Sequence, residues 1–206
     1  MRSRIKKAFF GSYVFEVWEN VYEPAEDSFL FAENLRVTKG ERVLDVGTGC
    51  GILGVLAAEK AAEVVAVDVN PYAIRCARHN AEVNRLGGKM AFVQGDLLTF
   101  LAEDETFDLI LFNAPYLPSE DSDADTWLGR AWAGGVTGRQ VIDRFVIQAP
   151  SHLKRAGRVL LMQSTLAGVE ETRLRFAKRG LSVEVGASLP LPFFEELVLL
   201  KAKRPV

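Results

Sequence analysis

The sequence predicts an α/β fold, a mostly parallel sheet covered by helices on both faces. Three observations carry this. Strand-like and helix-like patterns alternate almost throughout the chain. The strand-like runs are short and apolar, as in RVLDVG (42–47), which closes on glycine and reads as a buried strand. The last two strand-like runs, LSVEVGAS (181–188) and FEELVLLKA (194–202), are separated only by LPLPF. That link is too short for a parallel crossover, so this pair is antiparallel.

In order along the chain, FFGSYVFEVW (9–18) reads as a hairpin or edge extension, and a helix begun by Pro24 ends near Leu35. After the strand at 42–47, ILGVLAAEK (52–60) sets Ile52, Val55 and Leu56 on one helical face. EVVAVDV (63–69) is the second core strand. Asn70-Pro71 then opens a helix to about Arg85, with Asn as cap and Pro suited to the first turn. MAFVQG (90–95) and FDLILFN (107–113) are the third and fourth core strands. Thr137-Gly-Arg-Gln140 fits a capping box for a helix through 141–153, shortened at Pro150. A fifth strand at 157–164 and a helix at 168–179 complete a seven-stranded sheet with the closing pair.

At 206 residues the chain is read as one domain, with 1–36 as an N-terminal extension and helix and 37–206 as the core. Apolar residues are 49% and charged residues 25%, a soluble balance. A net charge of −2 gives no general attraction for a polyanion, so nucleic acid is not an expected partner. Basic residues gather only at the ends, at Arg2, Arg4, Lys6 and Lys7 and at Lys201, Lys203 and Arg204, as solvated termini. Neither Cys50 with Cys76 nor His79 with His152 has metal-ligand spacing, so no metal site is expected. No apolar run of membrane-spanning length and no signal-peptide pattern is present, which predicts a cytoplasmic protein.

Two stretches carry chemistry. LDVGTGCG (44–51) places Gly47, Gly49 and Gly51 between a strand and a helix, where glycines let backbone approach a ligand. Asp68, ending the next strand, can accept both hydroxyls of a ribose. Asp96 can meet an adenine amino group while Leu97 packs on the base. NAD(P) would suit the loop position and Asp68, but the spacing is G-x-G-x-G, and Asp45 at the strand end could accept from an ammonium. Ribose, adenine and a zwitterionic tail together describe S-adenosylmethionine. The pattern D-x-G-x-G-x-G resembles that of class I methyltransferases, which implies their Rossmann-like fold.

The fourth strand stops on Asn113-Ala114-Pro115-Tyr116. Asn113 offers a carbonyl acceptor and an amide donor. Pro115 holds Ala114 extended, its carbonyl outward. Two such acceptors can grip a planar NH₂ group, with Tyr116 against its plane. The tetrapeptide resembles the (Asn/Asp/Ser)-Pro-Pro-(Tyr/Phe/Trp) motif of amino-group methyltransferases, with Ala114 in place of the first proline. VYEPAEDSFLF (21–31) and AWAGGVTGRQVIDRF (131–145) look like the flanking signatures of the HemK-like release-factor glutamine methyltransferases. They most resemble the archaeal and eukaryotic branch, which lacks the helical N-terminal domain of the bacterial enzymes. The resemblance covers about 21–202.

That resemblance implies N-methylation of the glutamine in the Gly-Gly-Gln motif of a class 1 release factor. It places Ser28, Asp45, Gly47, Asp68, Asp96, Leu97 and Asn113 at the cofactor, and Asn113, Ala114, Pro115 and Tyr116 at the glutamine. It also implies a small zinc-binding activator protein paired to an edge strand at 90–94. Glu120, Asp121, Asp123 and Asp125 follow the motif and would repel phosphates, favouring a protein substrate. A nucleic-acid amino methyltransferase acting on a flipped base is the alternative. A non-catalytic nucleotide-binding module would not require Asn113, Pro115 and Tyr116 together.

Overall fold

The structure, a computed structural model, describes residues 5–204; Arg2 and Arg4 of the first basic cluster lie outside them. Strands β1 (Lys6–Phe10) and β2 (Tyr13–Val17) form an antiparallel hairpin, followed by helix α1 (Glu26–Asn34). The core runs β3 (Arg42–Val46), α2 (Ile52–Ala58), β4 (Glu63–Asp68), α3 (Pro71–Val83), β5 (Met90–Gln94) and β6 (Phe107–Asn113). It continues as α4 (Trp127–Arg130), α5 (Gln140–Gln148), β7 (Leu153–Ser164), α6 (Val169–Ala177), β8 (Ser182–Pro190) and β9 (Glu196–Lys203).

The seven strands lie in the order β5-β4-β3-β6-β7-β9-β8. Strands β3 to β7 pair in parallel, and β9 runs antiparallel to both β7 and β8. This is the expected seven-stranded sheet with one antiparallel strand. Its order reverses between β3 and β6, so the carboxyl ends of those strands open a crevice. Both faces are buried, and β6 shows how. Leu109 and Leu111 join one apolar cluster with Phe15 and Phe31, while Ile110 and Phe112 join the other with Phe145 and Phe176. Successive side chains on a strand point to opposite faces, so an unbroken apolar run is what a doubly covered strand requires.

Helix α3 begins as expected: the Asn70 side chain accepts from Tyr72 N, with Pro71 in the first turn. It also carries a clip that its polar face does not advertise. Asn80, fully buried, donates from Nδ2 to Glu16 O and Cys50 O (both 2.8 Å) and accepts from Glu16 N at 2.9 Å. One turn on, Asn84 donates to Val14 O (2.8 Å) and accepts from Val14 N (3.1 Å). The two amides imitate a neighbouring strand for β2, and Asn70 Nδ2 donates to Asn20 O just beyond it. The N-terminal extension is thereby held to the core, which fixes where α1 lies.

Two local expectations are corrected. Pro24 precedes α1, whose cap is Ala25, because the helical turn starts from the Ala25 carbonyl, bonded by Phe29 N. The capping box at Thr137 does not form. Helix α5 is capped by Arg139, and the Gln140 N–H donates to the backbone carbonyl of Gly134 at 2.9 Å. The loop folds back on itself there, so a carbonyl takes the place expected for the Thr137 hydroxyl. Pro150 does shorten α5, which passes into a turn of 3₁₀ helix at Ala149–His152.

Candidate active site

A cavity of about 530 Å³ opens at the carboxyl ends of β3, β4 and β6. The glycine loop after β3 forms its floor. Gly47 lines it with φ +64°, and a Cβ there would stand 3.3 Å from the Phe112 ring. That conformation and that closeness both call for glycine. Thr48 and Gly49 continue the floor. Gly51 does not: a Cβ at this position would meet Ala77 of α3 at 3.0 Å, so its role is to let α2 and α3 approach. It is not among the residues that line the cavity.

Asp45 is not among the cavity-lining residues either. It is 1% exposed, and its Oδ2 accepts from Thr48 Oγ1 at 2.6 Å and Gly54 N at 3.0 Å. Through Oδ2 the carboxylate ties the loop to α2. Burial pushes its pKa up to about 7, against the two hydrogen bonds that lower it. Asp68, by contrast, lines the cavity. Its Oδ2 accepts from Gly49 N (3.0 Å) and its Oδ1 from Asn70 N (2.9 Å). Each oxygen keeps further acceptor capacity, as a ribose would need. Burial raises its pKa, and these backbone bonds oppose the rise.

On the opposite wall stand Asn113, Ala114 and Pro115, with Ser28 of α1. Asn113 Nδ2 donates to Asp27 Oδ2 at 3.0 Å and to Ser28 Oγ at 3.3 Å. Asn113 Oδ1 is buried and accepts no hydrogen bond among the described residues. A buried acceptor without a donor is costly, and Asn113 carries this spare acceptor capacity at the cavity wall. Sequence reasoning missed Asp27, which is 5% exposed and buried between α1 and β6. The Ala114 N–H donates to Met162 O at 3.3 Å, carrying the β6–β7 ladder one residue past the strand.

The cavity, the ribose-ready carboxylate and the unsatisfied amide oxygen together fit a nucleoside cofactor beside a ligand that donates N–H. Residues 23–128 match the Methyltransferase small domain family. The chain is also 44% identical to a putative protein N5-glutamine methyltransferase of Methanocaldococcus jannaschii, over 89% of this chain and 92% of that one. This chain belongs to the HemK-like glutamine methyltransferase family. It is similar to the Mus musculus methyltransferase HEMK2, at 32% identity over 80% of this chain and 81% of the relative. Among solved structures it resembles the E. cuniculi Mtq2–Trm112 complex, responsible for methylation of the translation termination factor eRF1. That match has 26% identity and a TM-score of 0.71, over 91% of this chain and all of that one.

The remaining expected residues of this methyltransferase fall at the rim or behind the wall. Leu97, with φ +52°, lines the cavity and packs into the second cluster. Asp96 is exposed at the rim and paired with Arg144 of α5, which sequence reasoning had left unassigned. Tyr116 stands one layer back, its hydroxyl 3.4 Å from Asp27 Oδ2. Burial and then the Asp27 charge hold its phenol above the ordinary value, so it stays a donor. Residues 131–138 brace the tetrapeptide from outside: Leu117 N donates to Trp132 O, and Gly134 N to Leu117 O.

The acidic loop is less uniform than expected. Glu120 and Asp123 satisfy each other's backbone as a capping box for the turn Asp121–Asp125. Asp125 shares the rim with Arg130 and Arg144, and Arg130 lies 4.9 Å over the Trp127 ring. The repulsion of phosphates expected from four free acids is therefore weakened by two cations. Cys50 and Cys76 are both free and buried, and among the described residues no cluster could hold a metal. No described helix is long and apolar enough to cross a membrane.

Proposed function

We propose that this protein methylates the side-chain amide nitrogen of the glutamine in the Gly-Gly-Gln motif of a translation release factor, in the cytoplasm, using S-adenosylmethionine. The observation that carries the reading is Asn113 Oδ1, a buried acceptor with no donor, on the wall of a cavity floored by the glycine loop. The relatives' chemistry supports it. Gly47, Gly49, Asp68 and Leu97 would hold the cofactor, with Asp68 on its ribose. When bound, that cofactor supplies an electrophilic methyl group.

The protein's task is to present the nitrogen. A carboxamide nitrogen is a poor nucleophile because its lone pair is delocalised. Asn113 Oδ1 and the Ala114 carbonyl would each accept one N–H of the substrate amide. Acceptors already in place stabilise the positive charge that grows on nitrogen as it attacks, at no cost in reorganisation. They also fix the direction of approach, and the nitrogen releases one proton as it is methylated.

A partner follows from the sheet. Strand β5 is an edge, with Ala91 exposed and Met90, Phe92 and Val93 half-buried. Arg78, Glu82 and Arg85 border a groove beside it. An open apolar edge invites a strand from another chain. A small activator protein like the Trm112 of the similar complex would seat here.

One observation favours a second substrate class. Arg130 and Arg144 at the rim, with Trp127 beneath Arg130, could meet a phosphate and a base. A transfer assay offering release factor, RNA and DNA side by side separates the two. Methylation of release factor alone supports the proposal; methylation of nucleic acid alone refutes it.

A further inference from the structure

We propose that Asp27 is a positioning residue, whose carboxylate holds the Asn113 amide with its oxygen, and not its NH₂, facing the acceptor site. This rests on the reading that Asn113 Oδ1 receives the substrate N–H. An asparagine amide is nearly symmetric in shape, so packing alone does not choose between its two orientations. One orientation presents an acceptor to the substrate NH₂. The other presents a donor, which would face N–H against N–H.

The surroundings of Asn113 make that choice. Asp27 Oδ2 lies 3.0 Å from Asn113 Nδ2, and Ser28 Oγ lies 3.3 Å from the same atom. Every recorded partner of Asp27 is a donor. Ser28 N (2.6 Å), Ser28 Oγ (3.1 Å) and Tyr22 O–H (3.4 Å) reach Oδ1, while Asn113 Nδ2 and Tyr116 O–H (3.4 Å) reach Oδ2. Burial, and then the charge of Asp27, keep both phenols protonated, so each retains the O–H that it donates to Asp27. An ionised carboxylate only accepts. Turning the Asn113 amide over would set its oxygen against that carboxylate and lose a charge-assisted hydrogen bond. Its freed NH₂ would then face the cavity. Asp27 borders the same cavity, but donors occupy both of its oxygens, so it acts through Asn113.

The test uses the full chain and compares Asp27→Asn, Asn113→Asp, the double swap and Asn113→Ala. Each is assayed for kcat, KM, S-adenosylhomocysteine affinity and Tm. Asp27→Asn keeps shape and volume but places an NH₂ among donors. Its kcat should fall about 10²-fold, the scale for losing one oriented transition-state contact, with KM and product affinity close to unchanged and a lower Tm, because buried donors around residue 27 lose their acceptor. Asn113→Asp alone sets two carboxylates against each other and should also be slow. The double swap restores one donor and one acceptor with reversed polarity, again leaving an oxygen toward the cavity. It should regain at least about tenfold over either single variant, a coupling of the kind seen between touching groups.

If Asp27→Asn keeps kcat within a factor of two, or the swap merely multiplies the two losses, the positioning role is wrong. A loss of kcat matched by an equal loss of product affinity, or a double swap that regains Tm but not kcat, would mean a structural role only, and would likewise overturn it. Should Asp27→Asn fail to fold, the double swap against Asn113→Asp decides by itself. Asn113→Ala separates this inference from the reading beneath it. If that variant stays active, the amide grip itself fails; if it is inactive while Asp27→Asn is not, only the role of Asp27 fails.

Discussion

Removing the Asp68 carboxylate tests the glycine loop and the ligand wall together. In Asp68→Ala two backbone donors, Gly49 N at 3.0 Å and Asn70 N at 2.9 Å, lose their acceptor. Hydrogen bonds to a charged group are worth about 1.5–3 kcal/mol each. Both donors are part-buried, so water replaces some of that. The burial that raises the Asp68 pKa is also relieved, a further offset. The net cost should be about 2 kcal/mol, which lowers Tm by about 4–8 °C in a domain of this size. Cofactor affinity should fall more steeply. Losing even one ribose contact of about 1.5–3 kcal/mol weakens S-adenosylhomocysteine about tenfold to a hundredfold. Thermal denaturation with and without ligand, and titration calorimetry, read the two effects separately. Asp68→Asn, which keeps one acceptor, should fall between. An unchanged Tm would refute the clamp on Gly49 and Asn70. Unchanged product affinity would refute the placement of Asp68 at the ribose, as would tighter binding of NAD by the unaltered protein.

Asp45 is buried, and its carboxyl is pushed up to about 7 in the folded chain. Between its ordinary value near 4 and that point the folded state binds more protons than the unfolded one, so stability falls as pH rises through this window. Asp45→Asn should remove that slope, on the order of 4 kcal/mol over the window, in Tm measured from pH 4 to pH 8; equal slopes would contradict the burial argument. Ala91→Lys on the β5 edge should abolish capture of a co-expressed activator protein while leaving Tm within about 1–2 °C, the scale of a surface change under 0.5 kcal/mol. Retention of the complex would place the partner elsewhere. Ala114→Pro restores the usual motif but forfeits the long bond to Met162 O, so it should cost about 1 kcal/mol and keep most of its transfer activity. Inactivity would show that the carbonyl alone does not make the grip.

The sheet was legible because β4 and β6 carry the unbroken apolar runs VVAV and LILF, and β3 is apolar but for Arg42 and Asp45, as strands buried on both faces tend to be. The start of α3 was legible because Asn70-Pro71 acts locally. Residues whose partners are distant in sequence were not. Glu23, Glu26 and Asp27 look alike in VYEPAEDSF, yet Asp27 alone is buried, against an asparagine 86 residues away. Asn80 and Asn84 read as the wet face of a helix until β2 docks on them. Asp45 sits where a ligand contact was reasonable, but the turn brings Thr48 and Gly54 to its oxygen first. The Thr137 capping box failed for a local reason, since the Gly134 carbonyl of the same folded-back loop took the Gln140 N–H. Asn113 and Pro115 were found because a strand that ends on polar, rigid residues at a crevice has little local reason to do so.

The central claim is that Asn113 Oδ1 and the Ala114 carbonyl grip a primary carboxamide for N-methylation. Tandem mass spectrometry tests it most directly, on a release factor incubated with S-adenosylmethionine and this protein, with and without the proposed activator protein. Two controls run beside it, a Gly-Gly-Glu substrate and the Asn113→Ala enzyme. The account predicts one methyl group on the glutamine side-chain nitrogen, none on the glutamate substrate, and a loss of about 10²–10³ in rate for the variant. A methyl group on glutamate, or undiminished transfer by Asn113→Ala, would contradict it.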